Sequence, residues 1–176
     1  MRIIFFRHGH TDANQRGLLQ GVSDFPLNAF GRKSVSEAME RIGSSSGYLR
    51  VYSSPLLRAR QTAEMIGNYL DIPVFIDDLL LERNLGCYER MERSVLKRHT
   101  ELEKADFLSL DFTPRGGESL LDVIPRACDF FLHLEQARVS SIVIVHGAWF
   151  KALASIRNFP KSELSNAEFI ELKLDF

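Results

Sequence analysis

Two short apolar runs that each end in His-Gly constrain the fold of this chain more than any other feature of its sequence. The stretch "IIFFRHG" fills residues 3–9, and "IVIVHG" fills residues 142–147. Short, continuous runs of branched and aromatic residues are typical of strands that are covered on both faces, as in a parallel sheet. Ligands bind beyond the carboxyl ends of such strands. We therefore expect His8 and His146 to lie together in a site at one edge of a sheet.

The rest of the chain alternates strand-like with helix-like patterns. Strands are predicted at 2–6, 50–54, 73–77, 142–145 and 168–174, and helices at 35–42, 59–70, 94–105, 118–136 and 148–157. This alternation predicts an α/β fold, a three-layer sandwich in which helices flank a mostly parallel central sheet. Ser54 and Pro55 are expected to begin the second helix, and Pro125 to kink or begin the fourth.

Length and charge exclude several functional classes. The 176 residues suit one domain spanning 1–176, and 22 basic against 23 acidic side chains give a net charge of −1, so we expect no nucleic-acid partner.

Cys87 and Cys128 lie in no CxxC pattern and are predicted to be free thiols in a reducing compartment. The first apolar run is too short for a signal peptide or a membrane helix. We expect a cytoplasmic protein without a membrane partner, and the sequence leaves the oligomeric state open, a homodimer included.

One chemistry open to strand-end histidines is metal binding. His8 and His10, together with His146 and a carboxylate, could hold Zn²⁺ as in metal-dependent hydrolases. The permanent positive charge of Arg7 beside them disfavours a cation, and the barrels that use such a His-x-His pair need roughly 250 residues. We therefore expect no metal and no other cofactor.

The second chemistry is anion binding. Arg7 provides one guanidinium, and "SSPLLRARQTA" at residues 53–63 provides Arg58 in the first turns of a helix, where phosphate is favoured. Arg60 in the same stretch is interpreted as a solvated helix charge. Neighbouring positive charge lowers the pKa of a histidine, so a neutral His8 that faces a bound phosphoryl group is suited to act as a nucleophile.

The motifs resemble one known family when they are taken together and in order. They are "RHGHTDANQRGLLQGVSDFPLNAFG", "SSPLLRARQTA", "LLERNLG", "GGESL" and "IVIVHG", followed by "SNAEF" at residues 165–169. This series resembles the histidine phosphatase superfamily, in its phosphoglycerate-mutase-like branch. The resemblance implies the phosphoglycerate-mutase-like version of the three-layer fold.

The resemblance also implies a role for each motif. His8 would become a phosphohistidine, and Glu82 would act as general acid toward the departing oxygen and then as base toward water. The phosphate pocket would be lined by Arg7, Arg58 and His146. The residues implied to contact the substrate are Asn14, Gln20, Gly21, Arg83 and Gly147.

Several positions depart from the family pattern. His10, Arg90, Val145 and Ala148 stand where other residue types are usual, so the walls of the site differ and the identity of the substrate cannot be transferred. The segment 87–115 is predicted to act as a lid that covers the site and determines specificity for the part of the substrate beyond its phosphate.

The sequence favours hydrolysis over phosphoryl transfer. About 29 residues separate Gly86 from Gly116, which is short for the lid with which a mutase excludes water. We expect a phosphomonoesterase of the histidine acid phosphatase type that acts on a small phosphorylated metabolite. The α-ribazole phosphate phosphatases are one similar group, but no residue singles out their substrate. Two alternatives stay open: a phosphoglycerate-mutase-type transferase, which the Glu82-Arg83 pair resembles, and a non-catalytic module that binds a phosphorylated ligand.

Overall fold

One five-stranded sheet positions the site. The structure, a computed structural model, describes residues 1–43, 47–94, 109–157 and 159–174. The strands are β1 (Arg2–Arg7), β2 (Arg50–Ser53), β3 (Val74–Ile76), β4 (Ser141–Val145) and β5 (Phe169–Lys173). They lie in the order β3-β2-β4-β1-β5, in which β5 runs antiparallel to β1 and the other neighbours pair in parallel. The predicted strands are thereby confirmed, each to within one residue at either end.

The helices lie on both faces of this sheet. They are α1 (Asp12–Gln15), α2 (Ala29–Ile42), α3 (Leu57–Leu70), α4 (Leu120–Ala137) and α5 (Gly147–Ile156), with 3₁₀ turns at Asp78–Leu80 and Gly86–Tyr88. Alternate residues of β1 point to opposite faces, as a strand requires. Phe5 packs in one apolar cluster with side chains of α4 and α5, and Phe6 packs in a second cluster with side chains of α2 and α3. The predicted three-layer α/β sandwich is confirmed.

Ser54-Pro55 does not begin the second predicted helix, and Pro125 does not begin the fourth. The second predicted helix begins at Leu57 rather than at Ser54-Pro55, and it has no cap from a neighbouring side chain. Instead Asp24, which lies 33 positions earlier, accepts a hydrogen bond from the Leu57 amide at 2.6 Å. The fourth predicted helix begins at Leu120, because Ser119 forms a capping box there, and it continues through Pro125 as one helix.

Some predictions lie outside the described residues. The charged helix predicted at 94–105 falls almost entirely on residues 95–108, and the proposed lid is described only at 87–94 and 109–115. Within the described ranges, no helix is both long enough and apolar enough to cross a bilayer.

Candidate active site

The register of the central strands brings the two histidines together. Arg7 pairs with Val145 across β1 and β4, so His8 and His146 leave the sheet side by side. Their rings lie 5.0 Å apart between centroids. His8 is 3% exposed and His146 is fully buried. The two histidines therefore lie together at one edge of the sheet, where the two His-Gly pairs led us to expect them.

Hydrogen bonds fix which nitrogen of His8 carries a proton. Its Nδ1 lies 2.8 Å from the carbonyl oxygen of Gly9, which can only accept, so Nδ1 is the protonated nitrogen of the neutral ring. On the other side of the ring, Nε of Arg58 donates to Nε2 of His8 at 3.2 Å. Nε2 is thus the unprotonated nitrogen, and its lone pair is directed toward Nε of Arg58.

Burial and positive charge both keep these imidazoles neutral. The pKa of His8 is lowered well below its usual value, first by burial and then by the charges of Arg58 and Arg7. The pKa of His146 is lowered in the same direction, again chiefly by burial and then by Arg58. The expectation of a neutral His8 among cations agrees with this arrangement.

The two arginines are held rigidly by backbone carbonyls. Arg58 is 1% exposed and donates to the carbonyl oxygens of Gly21 and Ser23 at 2.8 and 2.9 Å. Burial lowers the pKa of Arg58 to about 10, so the side chain stays charged at neutral pH. Arg7 donates through Nη1 to the carbonyl of Leu164 at 2.6 Å. Arg60, in contrast, is exposed, as its interpretation as a solvated charge required.

Three buried nitrogens in this cluster lack a partner among the described residues. They are Nε of Arg7 and both ring nitrogens of His146. Buried polar groups are almost always hydrogen-bonded, and each unsatisfied one costs roughly 1–3 kcal/mol. Nε of Arg7 and the one protonated ring nitrogen of a neutral His146 are therefore donors suited to hold the oxygens of an anion.

Glu82 is held at the first turn of α5. Its carboxylate accepts hydrogen bonds from the amides of Ala148 at 3.1 Å and Trp149 at 2.9 Å, and from its own neighbour Arg83 at 2.9 Å. These three amides orient the carboxyl group of Glu82 at the start of the helix. Trp149 itself is fully buried in the core, and its indole donates to the carbonyl of Leu79.

A cavity of about 300 Å³ collects almost all of the predicted site residues. Those that line it are Arg7, His8, Asn14, Gln20, Gly21, Arg58, Glu82, Arg83 and Gly147; His146 is not among them, but its ring lies 5.0 Å from that of His8. The outer wall adds Arg93, Lys151 and Glu163, which the sequence did not single out as site residues.

Two glycines allow the close contacts at the strand ends. A Cβ on Gly9 would lie 2.8 Å from a methyl group of Val35 and 2.9 Å from the carbonyl oxygen of Gly31, so only glycine lets the chain pass α2 here. A Cβ on Gly147 would lie 3.2 Å from the guanidinium carbon of Arg7. The glycine after each histidine thus makes room for the site rather than forming a turn.

Sequence reasoning missed two supporting side chains. Asn166 donates to the backbone oxygen of His8 at 3.0 Å and lies 3.4 Å from its Nδ1. Thr62 accepts from the Gly9 amide at 3.1 Å and donates to the Arg58 carbonyl at 2.8 Å, so it ties the His8 strand to the Arg58 helix. Asn166 lies within the recognised "SNAEF" stretch and could have been found there. Thr62 carries no comparable pattern.

The arrangement does not assemble the alternative metal site. The ring of His10 packs edge-on against Phe30, with centroids 4.9 Å apart, and His10 is not among the cavity-lining residues. Across the described parts of the chain, no group of three or more His, Cys, Asp or Glu side chains is placed to hold a metal ion.

Comparisons with known proteins agree with this geometry. A family model for branch 1 of the histidine phosphatase superfamily matches residues 3–175. The phosphatase PhoE of Bacillus subtilis is 31% identical over 183 residues, covering 97% of this chain and 90% of PhoE. Fructose-2,6-bisphosphatase TIGAR of Xenopus tropicalis is 41% identical over 133 residues, covering 73% of this chain and 47% of TIGAR. The chain spans 35% to 59% of the length of TIGAR and four other curated relatives that it matches.

Solved structures with the same fold cover nearly the whole chain. A mycobacterial glucosyl-3-phosphoglycerate phosphatase in complex with VO3 superposes with a TM-score of 0.85 at 27% identity, covering 98% of this chain and 92% of that protein. Bacillus stearothermophilus YhfR superposes with a TM-score of 0.87 at 23% identity, covering 99% and 91%.

Proposed function

The chain belongs to branch 1 of the histidine phosphatase superfamily, and we propose that it hydrolyses the phosphomonoester of a small metabolite through a phosphohistidine on His8. The observation that carries this proposal is the set of unpartnered buried nitrogens of Arg7 and His146 beside the Nε2 lone pair of His8. A phosphoryl group placed there would accept from Nε of Arg7 and from the one protonated ring nitrogen of a neutral His146, and it would meet the nucleophile at once.

The proposed reaction has two steps. In the first, Nε2 of His8 attacks phosphorus, the ester P–O bond breaks, and the protonated form of Glu82 gives its proton to the departing oxygen. In the second, Glu82 removes a proton from water, the water oxygen attacks phosphorus, and the N–P bond breaks to release inorganic phosphate. Arg7, Arg58 and His146 hold the phosphoryl oxygens throughout. A positioned acid and base of this kind contributes roughly 10²–10⁴-fold in rate.

The outer wall of the cavity supports a substrate with a second acidic group. Arg93 and Lys151 both line it, and Lys151 is paired with Glu163 at 3.0 Å. A carboxylate or phosphate on the leaving group could take the place of Glu163 beside Lys151. TIGAR and the mycobacterial phosphatase, by their names, act on a sugar bisphosphate and on a glycerate phosphate. We propose a substrate of the same general charge for this chain.

Mutase-type transfer is less well supported. A mutase would use Arg83 to grip a second charged group of the substrate. Here Nε and Nη2 of Arg83 donate to the carbonyl oxygens of Glu118 and Phe112, each at 2.6 Å. Two of its three nitrogens therefore already serve the protein backbone.

The proposal keeps a cytoplasmic location, which two free cysteines favour.

The experiment that tests the function is release of inorganic phosphate from a panel of phosphomonoesters, with and without EDTA. The panel contains an aryl phosphate, sugar phosphates, 3-phosphoglycerate and nucleotides, with His8→Ala as the control. We expect EDTA-insensitive release that His8→Ala abolishes. Absence of release from every ester would favour the transferase or the binding module, and release abolished by EDTA would favour the metal mechanism.

A further inference from the structure

An arginine outside the predicted site contacts the backbone on both sides of the Glu82 α-carbon. Arg126 lies on α4, and its side chain is 17% exposed. It donates through Nε to the carbonyl oxygen of Leu81 and through Nη2 to that of Glu82, both at 3.2 Å. These two carbonyls flank the α-carbon of the residue assigned as general acid and base.

Glu118 completes the contact. Its carboxylate receives both terminal nitrogens of Arg126, at 2.8 and 2.9 Å, which is the bidentate geometry that fixes a guanidinium most firmly. The same carboxylate accepts from the Asn84 amide at 2.8 Å. The backbone oxygen of Glu118 accepts from Arg83 at 2.6 Å. The pair therefore holds the chain from residue 81 to residue 84.

Glu82 is thus restrained from two directions. The Arg126–Glu118 pair holds its backbone, and the first-turn amides of α5 hold its carboxylate. Helices α4 and α5 pack together in the same apolar cluster, through residues such as Phe130 and Trp149. The packing of these two helices therefore sets the distance between the backbone of Glu82 and the amides that hold its carboxylate.

From this geometry we infer that Arg126, acting with Glu118, is a positioning residue that sets the place of the Glu82 carboxylate relative to the leaving group. The inference rests on the acid and base role of Glu82 in the proposed function. Without Arg126, two carbonyls lose their donors and the segment 81–84 relaxes. A displacement of about 1 Å in a group that transfers a proton can cost roughly 100-fold in rate.

The test measures how the rate depends on the leaving group. An acidic phenol departs without much help from an acid, whereas an alkoxide needs a proton, so a misplaced acid slows alkyl esters selectively. We compare kcat/KM for an aryl phosphate with an acidic phenol and for glycerol phosphate. Arg126→Met should lower the alkyl value by about 10–100-fold and the aryl value several-fold less. Arg126→Lys and Glu118→Gln, which keep part of the network, should show smaller losses with the same selectivity.

The matched control is Arg2→Met. Arg2 also pairs with a glutamate, Glu171 at 3.4 Å, but it lies at the opposite end of β1 from His8. This variant should leave the ratio of alkyl to aryl rates unchanged. If Arg126→Met fails to fold in a thermal melt, the two milder variants decide the question.

The Glu82→Gln variant separates a failure of the inference about Arg126 from a failure of the proposed function. If it changes the ratio of alkyl to aryl rates while the folded Arg126 and Glu118 variants slow both esters equally, Arg126 is merely structural and the inference is overturned. If Glu82→Gln leaves the ratio unchanged, or the native protein releases no phosphate, the proposed function itself has failed.

Discussion

At the scale of single residues, the site depends on how closely backbone and guanidinium groups approach each other. Gly147 leaves the space that Arg7 fills, since a Cβ there would lie 3.2 Å from the Arg7 guanidinium carbon. Gly147→Ala should push Arg7 aside by a few tenths of an ångström and lower kcat/KM for any phosphomonoester by roughly tenfold. Steady-state kinetics and a thermal melt measure the two consequences separately.

A glycine far from the cavity provides the control for Gly147. A Cβ on Gly67 would lie 2.6 Å from a methyl group of Val74, within α3 and β3. Gly67→Ala should therefore lower the melting temperature and leave KM unchanged. The opposite pattern, with catalysis lost at Gly67 and kept at Gly147, would contradict the role given to the Arg7 contact.

Lys151 is the residue that should determine preference for a second acidic group. Lys151→Met should raise KM for 3-phosphoglycerate by roughly 3–10-fold, because a partly exposed charged contact is lost, and should leave KM unchanged for an aryl phosphate whose leaving group is uncharged. Glu163→Gln should have the opposite effect, since it frees Lys151 from its partner.

Lys33→Met serves as the charge-matched control for Lys151. Lys33 pairs with Glu37 on α2, at 3.9 Å, and both side chains are largely exposed. Its loss should affect neither substrate. If Lys151→Met changes KM equally for 3-phosphoglycerate and for the aryl phosphate, Lys151 does not recognise a second charge on the substrate.

At the scale of secondary structure, loop 20–24 links the start of α3 to the orientation of Arg58, which the proposed function assigns to phosphate binding. Asp24 caps the first amide of α3, and the carbonyls of Gly21 and Ser23 in the same loop orient Arg58. Asp24→Ala should destabilise the protein by about 1 kcal/mol, the usual value of a lost cap, and also weaken inhibition by inorganic phosphate. Urea unfolding and phosphate inhibition measure these two effects.

A cap in another helix serves as the control for Asp24. Asn28 accepts from the Gly31 amide at 2.8 Å at the start of α2, away from Arg58. Asn28→Ala should cost a similar free energy of unfolding without changing the inhibition constant. If both variants weaken phosphate binding equally, the loop does not orient Arg58 in the way proposed.

The sequence predicted elements whose cause is local and missed those whose cause is distant. The strands followed from apolar runs, and His8 and His146 followed from the carboxyl ends of two of those runs. The start of α3 was wrong because its cap, Asp24, comes from 33 positions away. No local pattern pointed to Arg126, because the carbonyl oxygens to which it donates lie 44 and 45 positions earlier. Long-range hydrogen bonds of this kind cannot be read from periodicity.

At the scale of the whole molecule, the two buried histidines of the site lower the free energy of unfolding as pH falls. His8 and His146 are buried beside cations, and the pKa of each is lowered well below its usual value in the folded protein. Below about pH 6.5 the unfolded chain binds protons at these histidines whereas the folded protein does not. The free energy of unfolding must therefore decrease as pH is lowered through this range, by up to about 1.4 kcal/mol per pH unit for each histidine.

His146→Gln should remove one of these two contributions and leave a shallower slope between pH 6.5 and 5.5. Carboxylates whose pKa is lowered in the folded protein, such as those of Glu163 and Glu168, lose their contribution only at more acidic pH. Urea unfolding at fixed ionic strength in a phosphate-free buffer measures the slope without the stabilisation that a bound anion would add. A native protein whose stability is flat from pH 7 to 5.5, or a His146→Gln variant with the native slope, would contradict the neutral, buried pair. The nucleophilic role proposed for a neutral His8 would then need another physical cause.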